Sequence, residues 1–268
     1  MAHQIHRARK RFGQNFLQDD WIIQQIIQAV SPQPEDRVIE IGPGLGALTL
    51  PLLQAVSDQG VLTVIELDRD VIPKLQGQAE RRGWLKRLEV IQADALTIDL
   101  THIAKHRPLR LVGNLPYNIS SPLLFHFAQH RQVIGDIHVM LQKEVVQRIC
   151  AQPGDKLYGR LSVMLQLDFT AEHLFDVPPE SFEPQPKVDS AVVRLVPRTS
   201  RLPQQERLAF ADLIRQAFSQ RRKTLRNTLK GRISAETLTR NQIDPASRAE
   251  TLSVADWIRL YQATQSQD

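Results

Sequence analysis

The stretch "VIEIGPGLGALTL", residues 38–50, decides the fold. It joins an apolar run, Arg37 to Ile41, to a helical pattern, Leu45 to Val56, through Gly42, Gly44 and Gly46. So short a Val/Ile-rich run suits a strand buried on both faces of a parallel sheet. Strand-like runs recur downstream at Val61 to Glu66, Leu88 to Ile91, Leu109 to Val112 and Ile137 to Leu141. Between them Arg69 to Arg82, Ser120 to Gln129 and Lys143 to Cys150 carry apolar residues at helical spacing. Such alternation predicts a doubly wound α/β sheet. Two further strands, Phe169 to Val177 and Ser190 to Val196, are joined by "PPESFEPQPKVD", which is too short for a crossover helix. They predict an antiparallel strand on the otherwise parallel sheet. After "VPRTSRLPQQ" the chain reads as helical, with Phe210, Leu213, Ile214, Ala217 and Phe218 on one face and Leu225 and Leu229 continuing it. The domain boundary is placed there, giving an α/β domain over 1–200 and a small all-helical domain over 201–268.

Composition narrows the function. The chain has 268 residues, 42% of them hydrophobic, enough for one substantial core and a smaller one. No apolar stretch reaches the roughly 18 residues of a membrane span, and "MAHQIHRARKR" lacks the apolar middle of a secretory signal, so the expected address is the cytoplasm without membrane attachment. The single cysteine, Cys150, sits in an apolar helical pattern and reads as a small buried hydrophobe, which leaves no thiol chemistry. No His, Cys or carboxylate cluster has metal-ligand spacing, so no metal is expected. The net charge is +5, and it is localised. Arg7, Arg9, Lys10 and Arg11 lie near the start; Arg221, Arg222, Lys223, Arg226, Lys230 and Arg232 lie between residues 219 and 232, and neither segment has an acid. Two concentrated basic segments on an otherwise acidic chain are the pattern of a protein that grips polyphosphate.

The glycine turn lets backbone approach a ligand, and the helix start after it offers unpaired N–H groups. Alone it fits either G-x-G-x-G, common in S-adenosylmethionine enzymes, or G-x-G-x-x-A through Ala47, which a dinucleotide would accept. Glu66, one βα unit on in "VLTVIEL", is placed to accept both hydroxyls of a ribose, which either cofactor has. Asp94 in "VIQADAL" and Asn114 to Tyr117 in "LRLVGNLPYNI" end the next two strands, so all four sites open into one crevice. A dehydrogenase would need a proton-handling group beside the hydride path, and no histidine belongs to this set. An amide oxygen, a proline-stiffened turn and a flat ring suit an exocyclic amine on a base. Asn114 Oδ1 and the Leu115 carbonyl would accept hydrogen bonds from the amine, Pro116 would turn that carbonyl inward, and Tyr117 would stack on the base.

The motifs "FGQNFL" (12–17), "EIGPGLGALT", "VIELDRD", "QADAL", "GNLPYNISSPLL", "PQPKVDSAVVRL" and "AFSQRRKTLRNTL" together resemble the KsgA-type family of small-subunit ribosomal RNA adenine dimethyltransferases, in order over nearly the whole chain. The resemblance implies a class I, Rossmann-like S-adenosylmethionine-dependent methyltransferase fold with a small C-terminal helical domain. It implies S-adenosyl-L-methionine as donor, N6,N6-dimethylation of two adjacent adenosines in the 3′-terminal hairpin loop of 16S rRNA, and a part in small-subunit maturation. Its cofactor contacts fall on Asn15, Leu17, Gly42, Glu66, Asp94 and Asn114, beside Gly44 of the turn. A second aromatic clamp falls on Phe182 in "SFEPQPKVDS", although Gln185 stands where the family often has proline. Arg221, Arg222, Lys223, Arg226 and Lys230 would hold rRNA phosphates of the immature small subunit, the protein acting as a monomer. The expected form of this segment is one helix, Ser219 to Lys230, with Arg222, Arg226 and Lys230 on one face. Two other functions stay open: a related methyltransferase acting on large-subunit RNA, and a non-catalytic assembly factor.

Overall fold

The computed structural model describes residues 15–56, 60–104, 107–199 and 202–265. Arg7, Arg9, Lys10 and Arg11, and the first three residues of "FGQNFL", lie outside the described residues. The chain divides into two compact units, one holding the residues up to Val146 with Ala171–Pro197, the other Gln147–Thr170 with the residues from Arg198 on.

The first unit is built on a seven-stranded sheet. Its strands are β2 (Arg37–Ile41), β3 (Leu62–Glu66), β4 (Leu88–Gln92), β5 (Leu109–Asn114), β6 (Ile134–Gln142), β7 (Phe169–Val177) and β9 (Ser190–Pro197), in the order β4-β3-β2-β5-β6-β9-β7. The five strands from β4 to β6 are parallel, and β9 runs antiparallel to β6. Helices α1 (Asp20–Val30), α2 (Thr49–Ala55), α3 (Ile72–Arg81), α4 (Leu100–Ala104), α5 (Ser120–Gln129) and α6 (Lys143–Cys150) accompany it. From β2 the chain moves to β3 and β4 on one side and later to β5 and β6 on the other, so the strand order reverses beside β2. Ligand crevices of open α/β sheets lie at that point, outside the carboxyl ends of the strands.

Two local readings change. Strand β5 does not end before Gly113 but runs through it to Asn114. A Cβ at Gly113 would lie 2.6 Å from the Ile41 carbonyl oxygen, so glycine is what lets β5 close on β2 there. Helix α2 begins at Thr49 rather than Leu45, because Gly46 has φ of +92°, outside helical geometry, and a Cβ there would sit 2.6 Å from Leu75 Cδ1.

A second, two-stranded sheet was not anticipated. Strand β1 (Phe16–Leu17) pairs antiparallel with β8 (Phe182–Glu183), Leu17 opposite Phe182. Asp19 caps α1 by accepting the Trp21 and Ile22 N–H groups, and its other oxygen accepts the Ser181 hydroxyl at 2.9 Å. These bonds hold its carboxyl below the usual range.

The second unit contains α7 (Arg160–Gln166), α8 (Arg207–Ala217), α9 (Leu225–Thr228), α10 (Ala235–Arg240) and α11 (Val254–Gln265). Its core holds Phe210, Leu213, Leu225, Leu229, Trp257 and Tyr261, with Phe210 edge-on to Tyr261 at 5.7 Å between centroids. The boundary near residue 200 misses one segment: Val163 and Leu167 belong to this core, Gly154 N–H donates to Glu250 O, and the Tyr158 hydroxyl donates to Leu252 O. Cys150 is half-buried, more open than a core hydrophobe.

The continuous helix over 219–230 is absent. Only Leu225–Thr228 is helical, because Thr224 pairs with Arg248 as a β-bridge while the Leu225 and Arg226 N–H groups donate to Ser247 O and Pro245 O. Tertiary pairing has overridden local helix propensity. Arg222, Lys223, Arg226 and Lys230 are nonetheless exposed and make no salt bridge among the described residues. Arg221 differs: its guanidinium donates to the Lys156 carbonyl and to Glu250 Oε2.

Candidate active site

A cavity of about 810 Å³ opens at the carboxyl ends of β2, β3, β4 and β5 and brings together Asn15, Leu17, Gly42, Gly44, Glu66, Asp94 and the whole of Asn114 to Tyr117. Its size falls in the range of small-molecule sites. The members from Gly42 to Tyr117 are carried at or just past the ends of β2, β3, β4 and β5, and Asn15 and Leu17 come from the segment around β1.

Glu66 closes β3, a strand with every residue buried, and its carboxylate accepts the Asp68 N–H at 2.7 Å and the Gly44 N–H at 3.2 Å. Burial raises its pKa while these backbone donors pull it down. A carboxylate offers about four acceptor positions, so hydroxyl groups find room beside the two backbone donors. At Asp94, past the end of β4, Oδ1 accepts the Leu96 N–H at 2.9 Å, an Asx turn that sets the carboxyl in the cavity wall. Gly42 and Gly44 have φ of +68° and +52°, and a Cβ on Gly44 would meet the Phe16 ring at 3.2 Å. Strand β1 therefore lies close over the glycine turn.

Asn114 ends β5, and its Nδ2 donates to the Asn15 carbonyl at 2.9 Å. Only the NH₂ end of the amide is able to make that bond, so Oδ1 is turned the other way, and it accepts no hydrogen bond among the described residues. Leu115 N–H donates to Met140 O at 3.1 Å, which fixes the Asn114–Leu115 peptide, directly before the one that carries the Leu115 carbonyl. The Tyr117 hydroxyl lies 2.5 Å from Ser190 Oγ, and the Tyr117 carbonyl accepts the Ser120 hydroxyl at 3.1 Å. Burial pushes the Tyr117 phenol above its usual range.

Phe182 does not join this group. It is buried at 2% exposure in the same core as Leu17 and Val192, opposite Leu17 in the β1–β8 pair, and it is not in the cavity wall. In this structure Phe182 therefore packs with Leu17 in the core, away from the cavity wall.

Glu40, in the cavity wall, went unnoticed in the sequence although a carboxylate inside "VIEI" was the signal, since charged residues are rarely buried without a partner. It is 2% exposed, accepts the Thr49 hydroxyl at 2.6 Å, and burial raises its pKa from 4.5 to about 8. Below pH 4.5 folded and unfolded chains both hold this proton. Between there and about pH 8 only the folded chain does, so stability falls as pH rises, by up to about 1.4 kcal/mol per unit. Glu40→Gln removes the titration: its melting temperature relative to the unaltered protein will rise between about pH 5 and about pH 8. A difference independent of pH would mean that Glu40 is already ionised.

Among the described residues no group of three or more His, Cys, Asp or Glu is arranged to hold a metal, and no helix is long and apolar enough to cross a membrane.

A glycine turn after the first strand of the alternation, a ribose-type carboxylate after the second, and a seventh strand antiparallel to its neighbour place the first unit among the class I S-adenosylmethionine-dependent methyltransferases. Solved structures agree: the chain is similar to a dimethyladenosine transferase from Plasmodium falciparum (28% identity, TM-score 0.73, 91% of this chain and 95% of that one). It shares its fold with the 23S rRNA methyltransferase ErmE (24% identity, TM-score 0.72, 94% of this chain and 100% of that one). The ribosomal RNA adenine dimethylase model matches residues 5–266, and the chain belongs to that family. Among curated relatives it is 53% identical to the ribosomal RNA small subunit methyltransferase A of Methylococcus capsulatus, over 95% of this chain and 97% of the relative.

Proposed function

We propose that this protein transfers methyl groups from S-adenosyl-L-methionine to N6 of two adjacent adenosines in the 3′-terminal hairpin loop of 16S rRNA, acting as a monomer on the immature small subunit in the cytoplasm. The observation that carries the reading is the tethered amide of Asn114, whose Nδ2 is taken by the Asn15 carbonyl and whose Oδ1 is left to accept.

The cavity's donor set fits the cofactor. Glu66 would take the ribose hydroxyls, Asp94 the adenine amino group, and the backbone at Gly42 and Gly44 would pass along the amino-acid end, with Leu17 and the Asn15 backbone covering it. When bound, S-adenosylmethionine supplies a methyl group activated on a sulfonium. The chain's own residues then act on the acceptor. Adenine N6 is a weak nucleophile because its lone pair is delocalised into the ring. Asn114 Oδ1 and the Leu115 carbonyl accept its two N–H bonds and favour a pyramidal amine whose lone pair is free to attack. Tyr117 stacks on the base and fixes its plane. Attack makes the nitrogen cationic and acidic, and the proton is shed to water, since no histidine among the described residues lines the cavity.

Glu66→Ala will weaken cofactor binding by about tenfold or more, the loss expected for hydrogen bonds to a charged acceptor, and will slow the reaction less once cofactor is saturating. Titration calorimetry showing unchanged affinity would remove Glu66 from the site. The reading as a whole is tested by labelled-methyl transfer to purified small and large ribosomal subunits, with dimethyladenosine quantified in 16S rRNA from cells lacking the protein. Transfer to the large subunit alone would favour a 23S rRNA methyltransferase such as ErmE, and binding without transfer would favour an assembly factor.

A further inference from the structure

Tyr117 is held at both ends. Its carbonyl accepts the Ser120 hydroxyl at the start of α5, and its phenol meets Ser190, 73 residues away in sequence. Ser190 is fully buried, opens β9 and lies opposite Gln142 of β6. The residue before it is locked as well, because Asp189 O accepts the Lys143 N–H at 2.9 Å. The Ser190 hydroxyl is therefore carried on a rigid strand end, and among the described residues the Tyr117 contact is the only hydrogen bond its side chain makes.

Packing alone does not call for this pair. A buried hydroxyl costs free energy unless it is hydrogen-bonded, and Phe with Ala would fill the same wall without that requirement. The hydrogen bond adds direction: it pins the phenol oxygen and with it the swing of the ring about χ1, and because a phenol O–H lies in the ring plane it favours the ring rotation that aims that plane at Ser190. Direction matters because Phe182, the other aromatic expected at the base, is buried in the core in this structure and does not line the cavity, which leaves Tyr117 as the ring beside Asn114. With one stacking face, the plane of that face sets where N6 lies relative to Asn114 Oδ1 and the Leu115 carbonyl. A misplacement of about 1 Å in such a geometry costs up to about a hundredfold in rate.

We infer that Ser190 is a positioning residue for methyl transfer, its hydroxyl fixing the Tyr117 ring in the orientation that receives the target base. The inference rests on the reading of Tyr117 as the base platform.

The test compares Ser190→Ala, Tyr117→Phe and the double variant in single-turnover methylation of small subunits at saturating S-adenosylmethionine. Each single variant removes the same hydrogen bond from one side and keeps the ring, so each should slow the step by about fivefold, in the range that one neutral hydrogen bond supplies. Cofactor affinity should be unchanged, and the double variant should be no slower than the slower single one. A 2-aminopurine placed at the target adenosine of an RNA hairpin should be quenched on binding the unaltered protein and less quenched by either single variant. Tyr117→Phe leaves β9 untouched and keeps the test decisive if Ser190→Ala folds poorly. A Ser190→Ala or Tyr117→Phe rate within about 1.5-fold of the unaltered protein, losses that multiply in the double variant, or unmoved base fluorescence would each overturn the inference. A protein that methylates neither subunit would sink the proposed function, and the inference with it; an active protein indifferent to these substitutions would overturn the inference alone.

Discussion

Asn114→Ala will slow single-turnover methylation by about a hundredfold, a loss of about 3 kcal/mol of transition-state stabilisation, while the affinity for S-adenosylmethionine changes by less than about threefold. The asymmetry follows from geometry. The Asn114 amide is turned by the Asn15 carbonyl at 2.9 Å, so its oxygen is preorganised before substrate arrives. An acceptor of this kind gains most when the amine pyramidalises, and little in the ground state. Asn114→Asp separates the two ends of the side chain. It retains an acceptor but has no donor for the Asn15 carbonyl, and it sets a carboxylate oxygen against that carbonyl oxygen. The Asp variant should lose most of the rate as well, with a lowered melting temperature that the Ala variant does not share to the same degree. Rates for Asn114→Ala within about threefold of the unaltered protein would remove the amide from the chemistry.

The contrast between Asn114 and Phe182 shows what a sequence carries and what it does not. The sheet was legible because each buried strand announces itself as a short apolar run, and the strand ends of one parallel sheet must open on one crevice. Gly42, Gly44, Glu66, Asp94 and Asn114 were found by that rule alone, and all line the cavity. What joins them was not legible. The Asn15–Asn114 bond spans 99 residues and the Tyr117–Ser190 bond 73, and nothing local to either partner encodes its mate. Asn15 and Leu17 entered only through a family resemblance, and nothing local to Phe182, which the same resemblance expects at the base, encodes its packing with Leu17 in the core. Glu40 was missed for a different reason: it was read as part of an apolar strand, when a lone carboxylate there signals a buried acid whose environment must keep it protonated. In the helical unit, periodicity found the apolar face of α8 but overextended the helix beyond it, because the residues that interrupt it, Pro245 to Arg248, lie twenty positions downstream.

That interruption sharpens the last expected result, which concerns the basic segment. Arg222, Arg226 and Lys230 no longer share a helix face, but their exposure survives by another route: Leu225, Thr228 and Leu229 turn inward and leave Arg226 and Lys230 outside, with Arg222 on the turn before them. If these three cations neutralise RNA phosphates, replacing all of them by Gln will weaken binding and flatten the log–log salt dependence by about two to three units, since each lost contact removes close to one released counterion. Cofactor affinity will not change, because none of the three lines the cavity. Arg221 is the internal control. Its guanidinium already serves the Lys156 carbonyl and Glu250, so Arg221→Gln should move the salt slope by less than about half a unit and act on the anchoring of the 152–158 segment instead, seen as a lower melting temperature. Lys at positions 222 and 226 should keep most of the slope, with loss only of whatever bidentate contact a guanidinium makes. A triple variant whose slope stays within about half a unit of the unaltered protein would show that these charges keep the protein soluble and leave RNA to another surface.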